Sequence, residues 1–269
     1  MLPVGKYKNV DGVRTFFYRI GTGPSVVLIH GGAPGSCTSV NWKLNMEPLA
    51  AAGFTVYGFD QPGFGNSGNP TNYSIDYRVS HARAFVSALR LSRFHVIGNS
   101  QGAYIATRLA LSDRRVQRVV LISSTTLSPP TSRQSRAIVR AHARELRSYT
   151  PTEEKMREMT MRTLANSELV TEDLVRERYL MSTGKNFDAE LKRRKAKPPR
   201  EIVNDLHKLR MRVLIFAAKN DRGVTPDQTL RLLQLIPNAE FHMFKQCGHW
   251  VQWDQAKRFN SIVAGFLKE

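Results

Sequence analysis

The sequence predicts an α/β chain built on a mostly parallel, doubly wound sheet with an inserted helical lid, and three observations predict it. Short continuous apolar runs, the pattern of strands buried on both faces, alternate with amphipathic helical patterns through most of the 269 residues. A Gly-x-Ser-x-Gly sequence, Gly98-Asn99-Ser100-Gln101-Gly102, joins one such strand to one such helix. The alternation lapses once, between residues 127 and 210, and then resumes. The expected organisation is therefore a first core part over residues 1–126, a helical lid over 127–210 and a second core part over 211–269.

In chain order, residues 4–20 read as a β-hairpin, because Asp11-Gly12 is a favoured two-residue turn between β-rich flanks. Residues 25–29 form a buried strand that ends in the glycine-rich loop His30-Gly31-Gly32-Ala33-Pro34-Gly35. A helix is expected over residues 41–52, stopped by Gly53, then a strand over 54–60 and an irregular Gly/Pro loop over 60–67. An amphipathic helix over 74–91 leads to the strand that carries the serine, and residues 116–122 and 212–217 are further buried strands. A helix over 226–235, a last strand over 239–244 and a final helix ending near Leu267 complete the pattern.

The Gly-x-Ser-x-Gly turn reads as a nucleophile elbow. Glycines at 98 and 102 let the chain reverse sharply while Ser100 takes a strained backbone that lifts its hydroxyl off the sheet. The following helix aims its free N–H groups at the same point. A serine hydroxyl is a weak nucleophile near neutrality, so it needs a base within reach and an acid to hold that base's tautomer. Asp221, in Asn220-Asp221-Arg222-Gly223 just past a strand end, and His249, in Cys247-Gly248-His249-Trp250, supply both. His242 lies in a strand, and His81, His95, His142 and His207 lack a glycine-loop setting. The oxyanion donors are expected to be the backbone N–H of Gln101 with that of Gly32 or its neighbour Gly31, while His30 reads as a structural residue.

Composition narrows the function classes. The formal charge of +18 invites a polyanionic partner, but the basic residues are dispersed and no nucleic-acid module is visible. The densest run, Lys192 to Lys197 before Pro198-Pro199, reads as a solvated face or loop of the lid, and the positive field is expected to attract a carboxylate-bearing small molecule. No apolar run is long enough to span a bilayer and residues 1–10 show no signal-peptide pattern, so a cytoplasmic protein without membrane contact is expected. Cys37 and Cys247 are too few for a disulfide framework and lack metal spacing; no metal and no cofactor are expected. A homo-oligomer is compatible with the sequence.

The order Ser100, Asp221, His249 is that of the α/β-hydrolase fold, and the chain resembles one branch of it, the meta-cleavage product hydrolases, which hydrolyse a carbon–carbon bond in vinylogous 1,5-diketones from aromatic-ring degradation. The resemblance covers nearly the whole chain. It rests on the His30 to Gly35 loop followed by Asn41-Trp42, on Pro62-Gly63-Phe64-Gly65, on Gly98-Asn99-Ser100, on Asp221-Arg222, and on Cys247-Gly248-His249-Trp250-Val251-Gln252-Trp253. It implies that Asn41, Asn99 and Trp250 line the pocket and that Arg178, or Arg176 two positions earlier, binds the dienoate end of the substrate. It departs from the branch at Gln101-Gly102-Ala103, where an apolar residue and two glycines are usual, and at Met161-Arg162-Thr163-Leu164, which lacks an aromatic to face a flat substrate. A carboxylesterase or lactonase on the same triad and a small-molecule sensor on the same fold are the alternatives.

Overall fold

A computed structural model describes residues 2–269. Eight strands form one sheet in the order β1-β2-β4-β3-β5-β6-β7-β8. The strands are β1 (Lys6–Val10), β2 (Val13–Ile20), β3 (Ser25–Ile29), β4 (Thr55–Phe59), β5 (Phe94–Asn99), β6 (Val116–Ile122), β7 (Arg212–Ala218) and β8 (Ala239–Phe244). The β1–β2 hairpin turns at Asp11 and Gly12, both at positive φ, and pairs antiparallel; β2 also runs antiparallel to β4, and all later pairings are parallel.

The helices are α1 (Thr38–Trp42), α2 (Met46–Ala51), α3 (Ile75–Ala88), α4 (Gln101–Ser112), α5 (Arg133–Ser148), α6 (Glu153–Thr163), α7 (Glu172–Leu180), α8 (Lys185–Lys195), α9 (Pro226–Leu235), α10 (Val251–Asp254) and α11 (Ala256–Lys268). The single helix expected over residues 41–52 is two short ones. Pro48 has no N–H to offer and its ring would strike the carbonyl four residues back, so it is tolerated only in the first turn of a new helix, which is where α2 places it.

Strand periodicity builds the two-sided core. Val27 and Ile29 join α3 and α4 residues such as Phe85 and Tyr104 on one face, while Val26 and Leu28 join Trp42, Phe259 and Phe266 on the other. Each such side chain contributes about 1.5–3 kcal/mol by leaving water, so Phe259→Ala would remove about 3–5 kcal/mol.

Between β6 and β7 the chain forms a helical layer. Three of its helices begin on a hydroxyl cap: Ser132 accepts from Ser135 N (2.9 Å), Thr152 from Lys155 N (3.1 Å) and Thr171 from Leu174 N (3.2 Å). Anchorage is uneven. In α6 and α7, Met156, Met159 and Val175 pack with Tyr149, whereas Ser135 is the one residue of α5 that is buried. The basic run at the end of α8 is not wholly solvated. Arg193 and Arg194 both pair with Glu190 (2.9 and 3.0 Å), and Arg193 donates to Gly63 O (2.6 Å), while Lys192, Lys195 and Lys197 stay exposed. Among the described residues no helix is long and apolar enough to cross a membrane.

Candidate active site

Ser100 sits between β5 and α4 at φ 56°, ψ −121°, a conformation disfavoured for a residue with a side chain. The turn holds because its N–H donates to Ile122 O on β6 (2.8 Å) and because both flanking glycines are in tight contact. A Cβ on Gly98 would overlap the carbonyl oxygen of Gly102, and one on Gly102 would overlap that of Ile29. Gln101 opens α4, so its N–H has no carbonyl within the helix to bond.

His249 Nδ1 and Asp221 Oδ2 are 2.9 Å apart. Asp221 is buried, which alone would raise its pKa. The adjacent His249 and the N–H groups of Gly223 (2.8 Å) and Val224 (2.9 Å) outweigh burial and hold it below the usual carboxylate range. Ser100 and His249 both line one cavity of about 70 Å³; no hydrogen bond joins them among the described residues. Such bonds commonly tighten only around a bound substrate. That volume is room for about two or three waters.

Gly31, Gly32, Asn99, Gln101, Arg178 and Trp250 also line the cavity. Asn41 does not. It stands behind Asn99, donating to Asn99 Oδ1 (3.4 Å), and its backbone carbonyl accepts from Trp253 Nε1 (3.2 Å). Arg176 is exposed and outside the cavity, whereas Arg178 is fully buried. Arg178 donates to Thr160 Oγ1 (2.8 Å), lies 4.7 Å over the Trp250 ring, and has an Nε with no partner. Among the described residues no carboxylate pairs with it. Burial pushes its pKa down to about 10, so it stays charged at neutrality.

The Gln101 side chain turns away from the reacting centre. Its Oε1 accepts from Arg78 (3.1 Å) and occupies the space that a Cβ on Gly32 would need. Arg78 also donates to Gln61 (3.2 Å), whose N–H donates to His30 Nε2 (3.0 Å). Burial pushes His30 down to about 3, so the ring is a neutral acceptor bracing the loop.

Four charged or titratable residues of the wall were assigned no site role from the sequence: His142, Glu145, Arg162 and Arg222. The His142 ring stands 6.0 Å from that of His249, and burial, then the neighbouring His249, push its pKa down to about 4. Nothing in a helix rich in arginine marks that imidazole, and only the adjacency of Arg222 to Asp221 hinted at the fourth. One further carboxylate secures the site's corner. Asp254 accepts from Gly248 N (2.7 Å), just before His249, and from Ala165 N (2.9 Å) and Asn166 N (3.0 Å) at the end of α6.

Comparison with known proteins identifies the family. A family model described as the alpha/beta hydrolase fold matches residues 24–256. A Pseudomonas putida protein named 2-hydroxy-6-oxononadienedioate/2-hydroxy-6-oxononatrienedioate hydrolase 2 is 33% identical, covering 91% of this chain and 87% of its own. A Burkholderia vietnamiensis hydrolase of the same substrates is 32% identical over 98% and 95%. Among solved structures, a meta-cleavage product hydrolase from Pseudomonas fluorescens is 31% identical, with a TM-score of 0.85 over 98% of each chain.

Proposed function

The chain belongs to the α/β-hydrolase family, and from that premise we propose that it hydrolyses a carbon–carbon bond in a meta-cleavage product, a 2-hydroxy-6-oxo dienoate acid, with Ser100, His249 and Asp221 as its triad. The observation that carries this reading over simple ester hydrolysis is Arg178, a buried guanidinium with no carboxylate of its own in the wall that holds Ser100. A buried charge left unpaired is costly, and the carboxylate of a dienoate would compensate it.

The chemistry runs in balanced steps. The dienol ketonises as its 2-hydroxyl proton is given up and C5 gains one. The Ser100 hydroxyl adds to the C6 carbonyl while His249 takes its proton, and Asp221 holds the imidazole's tautomer and stabilises its charge. The N–H groups of Gln101 and of Gly32 or Gly31 face the oxyanion. The C5–C6 bond then breaks, its electrons pass into the dienoate half, and His249 returns the proton there. Water releases the acid from Ser100 by the reverse sequence. Asn99 and Trp250 frame the dienoate, with Asn41 supporting Asn99 from behind. A cytoplasmic setting suits two free, buried cysteines.

The test follows the dienoate absorbance on 2-hydroxy-6-oxo dienoates alongside 4-nitrophenyl esters. Turnover of the dienoates that disappears in Ser100→Ala and falls far more steeply than ester turnover in Arg178→Ala supports the reading. Efficient ester turnover with no action on any dienoate overturns it.

A further inference from the structure

Cations stand at both ends of the cavity, and only one end is accounted for by a dienoate. Arg178 closes the inner end, without exposure. Arg162 and Arg222 stand at the outer end, where they also border two open recesses of about 670 and 570 Å³ that Arg178 does not reach. Ser100 and His249 are part of the same cavity wall.

The outer charges are incompletely answered. Glu145 Oε2 lies 2.9 Å from Arg162 Nε, and the Nη groups of Arg162 make no hydrogen bond among the described residues. Arg222 is exposed and has no hydrogen-bond or ion-pair partner among them. Of the other carboxylates nearby, Asp221 is committed to His249, and Glu158, which borders one of the recesses, pairs with Lys155 (2.9 Å). No Phe or Tyr lines the cavity, and its single Trp stacks on Arg178 at the other end. Leu146, Met159 and Thr163 add a lining that suits a short aliphatic chain.

We infer that Arg222 and the free Nη groups of Arg162 form a second carboxylate subsite, which selects substrates whose acyl half ends in its own carboxylate. This rests on the hydrolase reading above. The relatives' named substrates have that form: a nonadienedioate with a 6-oxo group has carboxylates at C1 and C9, and cleavage between C5 and C6 leaves a four-carbon diacid as the acyl product. With C1 on Arg178 and C6 at Ser100, the C9 carboxylate extends toward the outer pair.

The acyl side can be probed without a dienoate, using 4-nitrophenyl hydrogen succinate against 4-nitrophenyl butyrate. Wild-type protein should favour the succinate by kcat/KM. Arg222→Gln should cut that preference by about ten- to a hundredfold, chiefly through KM, as expected for losing a charge-assisted hydrogen bond. The pair Glu145→Gln with Arg162→Gln, which leaves no stranded charge, should cut it as well. A wild-type enzyme indifferent to the carboxylate, or a preference within twofold of wild type in both variants, overturns the subsite. If neither ester is turned over, a dienedioate and its C9 methyl ester give the same ratio. Because the esters lack the dienoate, a failed subsite and a failed carbon–carbon reading give different results.

Discussion

The two walls of the cavity are made differently. On the sheet side, Ser100, Gly31, Gly32 and His249 occupy places set by backbone: strand ends, a positive-φ turn, and an elbow whose glycines, Gly98 and Gly102, admit no Cβ. On the helical side, Arg178, Arg162 and His142 are long or titratable side chains on ordinary helices, and only their side-chain identity matters. We propose that the first wall sets the reaction and the second, the lid, sets which acid is admitted. Substitutions on the sheet side should then affect every substrate alike, and those on the helical side should discriminate.

The sharpest break comes from Ser100, the proposed nucleophile. Ser100→Ala should lower kcat by roughly 10⁴- to 10⁶-fold on dienoates and esters alike; a loss confined to one substrate class would contradict the division. Next in size, Arg178→Met should lower kcat/KM on dienoate acids by roughly 10²- to 10³-fold. The same variant, measured by urea unfolding, should gain about 1–3 kcal/mol because an unpaired buried charge has gone. A loss of stability would mean that Thr160 and Trp250 already compensate the guanidinium.

Acid should expose the walls unequally. His30 is pushed down to about 3 and His81, His95 and His142 to about 4, each chiefly by burial. In the unfolded chain these rings take up protons near pH 6.5, so between pH 6.5 and 4 the unfolded state binds more protons and stability falls as pH falls. The slope should approach about four protons per molecule near pH 5 in denaturant titrations. His142→Gln should remove about one of them without the core damage expected at His30 or His81. The smallest effect is at Gln101→Ala. Its backbone N–H stays in place, so kcat should fall less than about tenfold, while Arg78 loses an acceptor at a cost of about 1–2 kcal/mol.

What could be read in advance follows the same division. Strand periodicity, Asp11-Gly12 and the elbow glycines encode backbone, and backbone is local, so sheet, hairpin and the Ser100 turn were legible. The break at Pro48 was also local and was overlooked. Arg178 came only by resemblance, because α7 is charged on several sides and nothing in it marks the inward one. His142 and Arg162 were hidden for the same reason: which face of a polar helix turns inward is decided by packing against residues far away in sequence.

The shared attachment at Asp254 bears on how a substrate gets in. It ties the end of α6 to the turn before His249, so prying that corner loose would drag the proposed general base out of register. α5 is the more lightly packed element: Ser135 is its one buried residue and donates to Asp227 (2.9 Å), while His142, Glu145 and Leu146 are half-buried against the cavity. The Asp254 attachment therefore keeps the His249 turn in register with the end of α6, and opening of the site is expected on the α5 side, where packing is lightest.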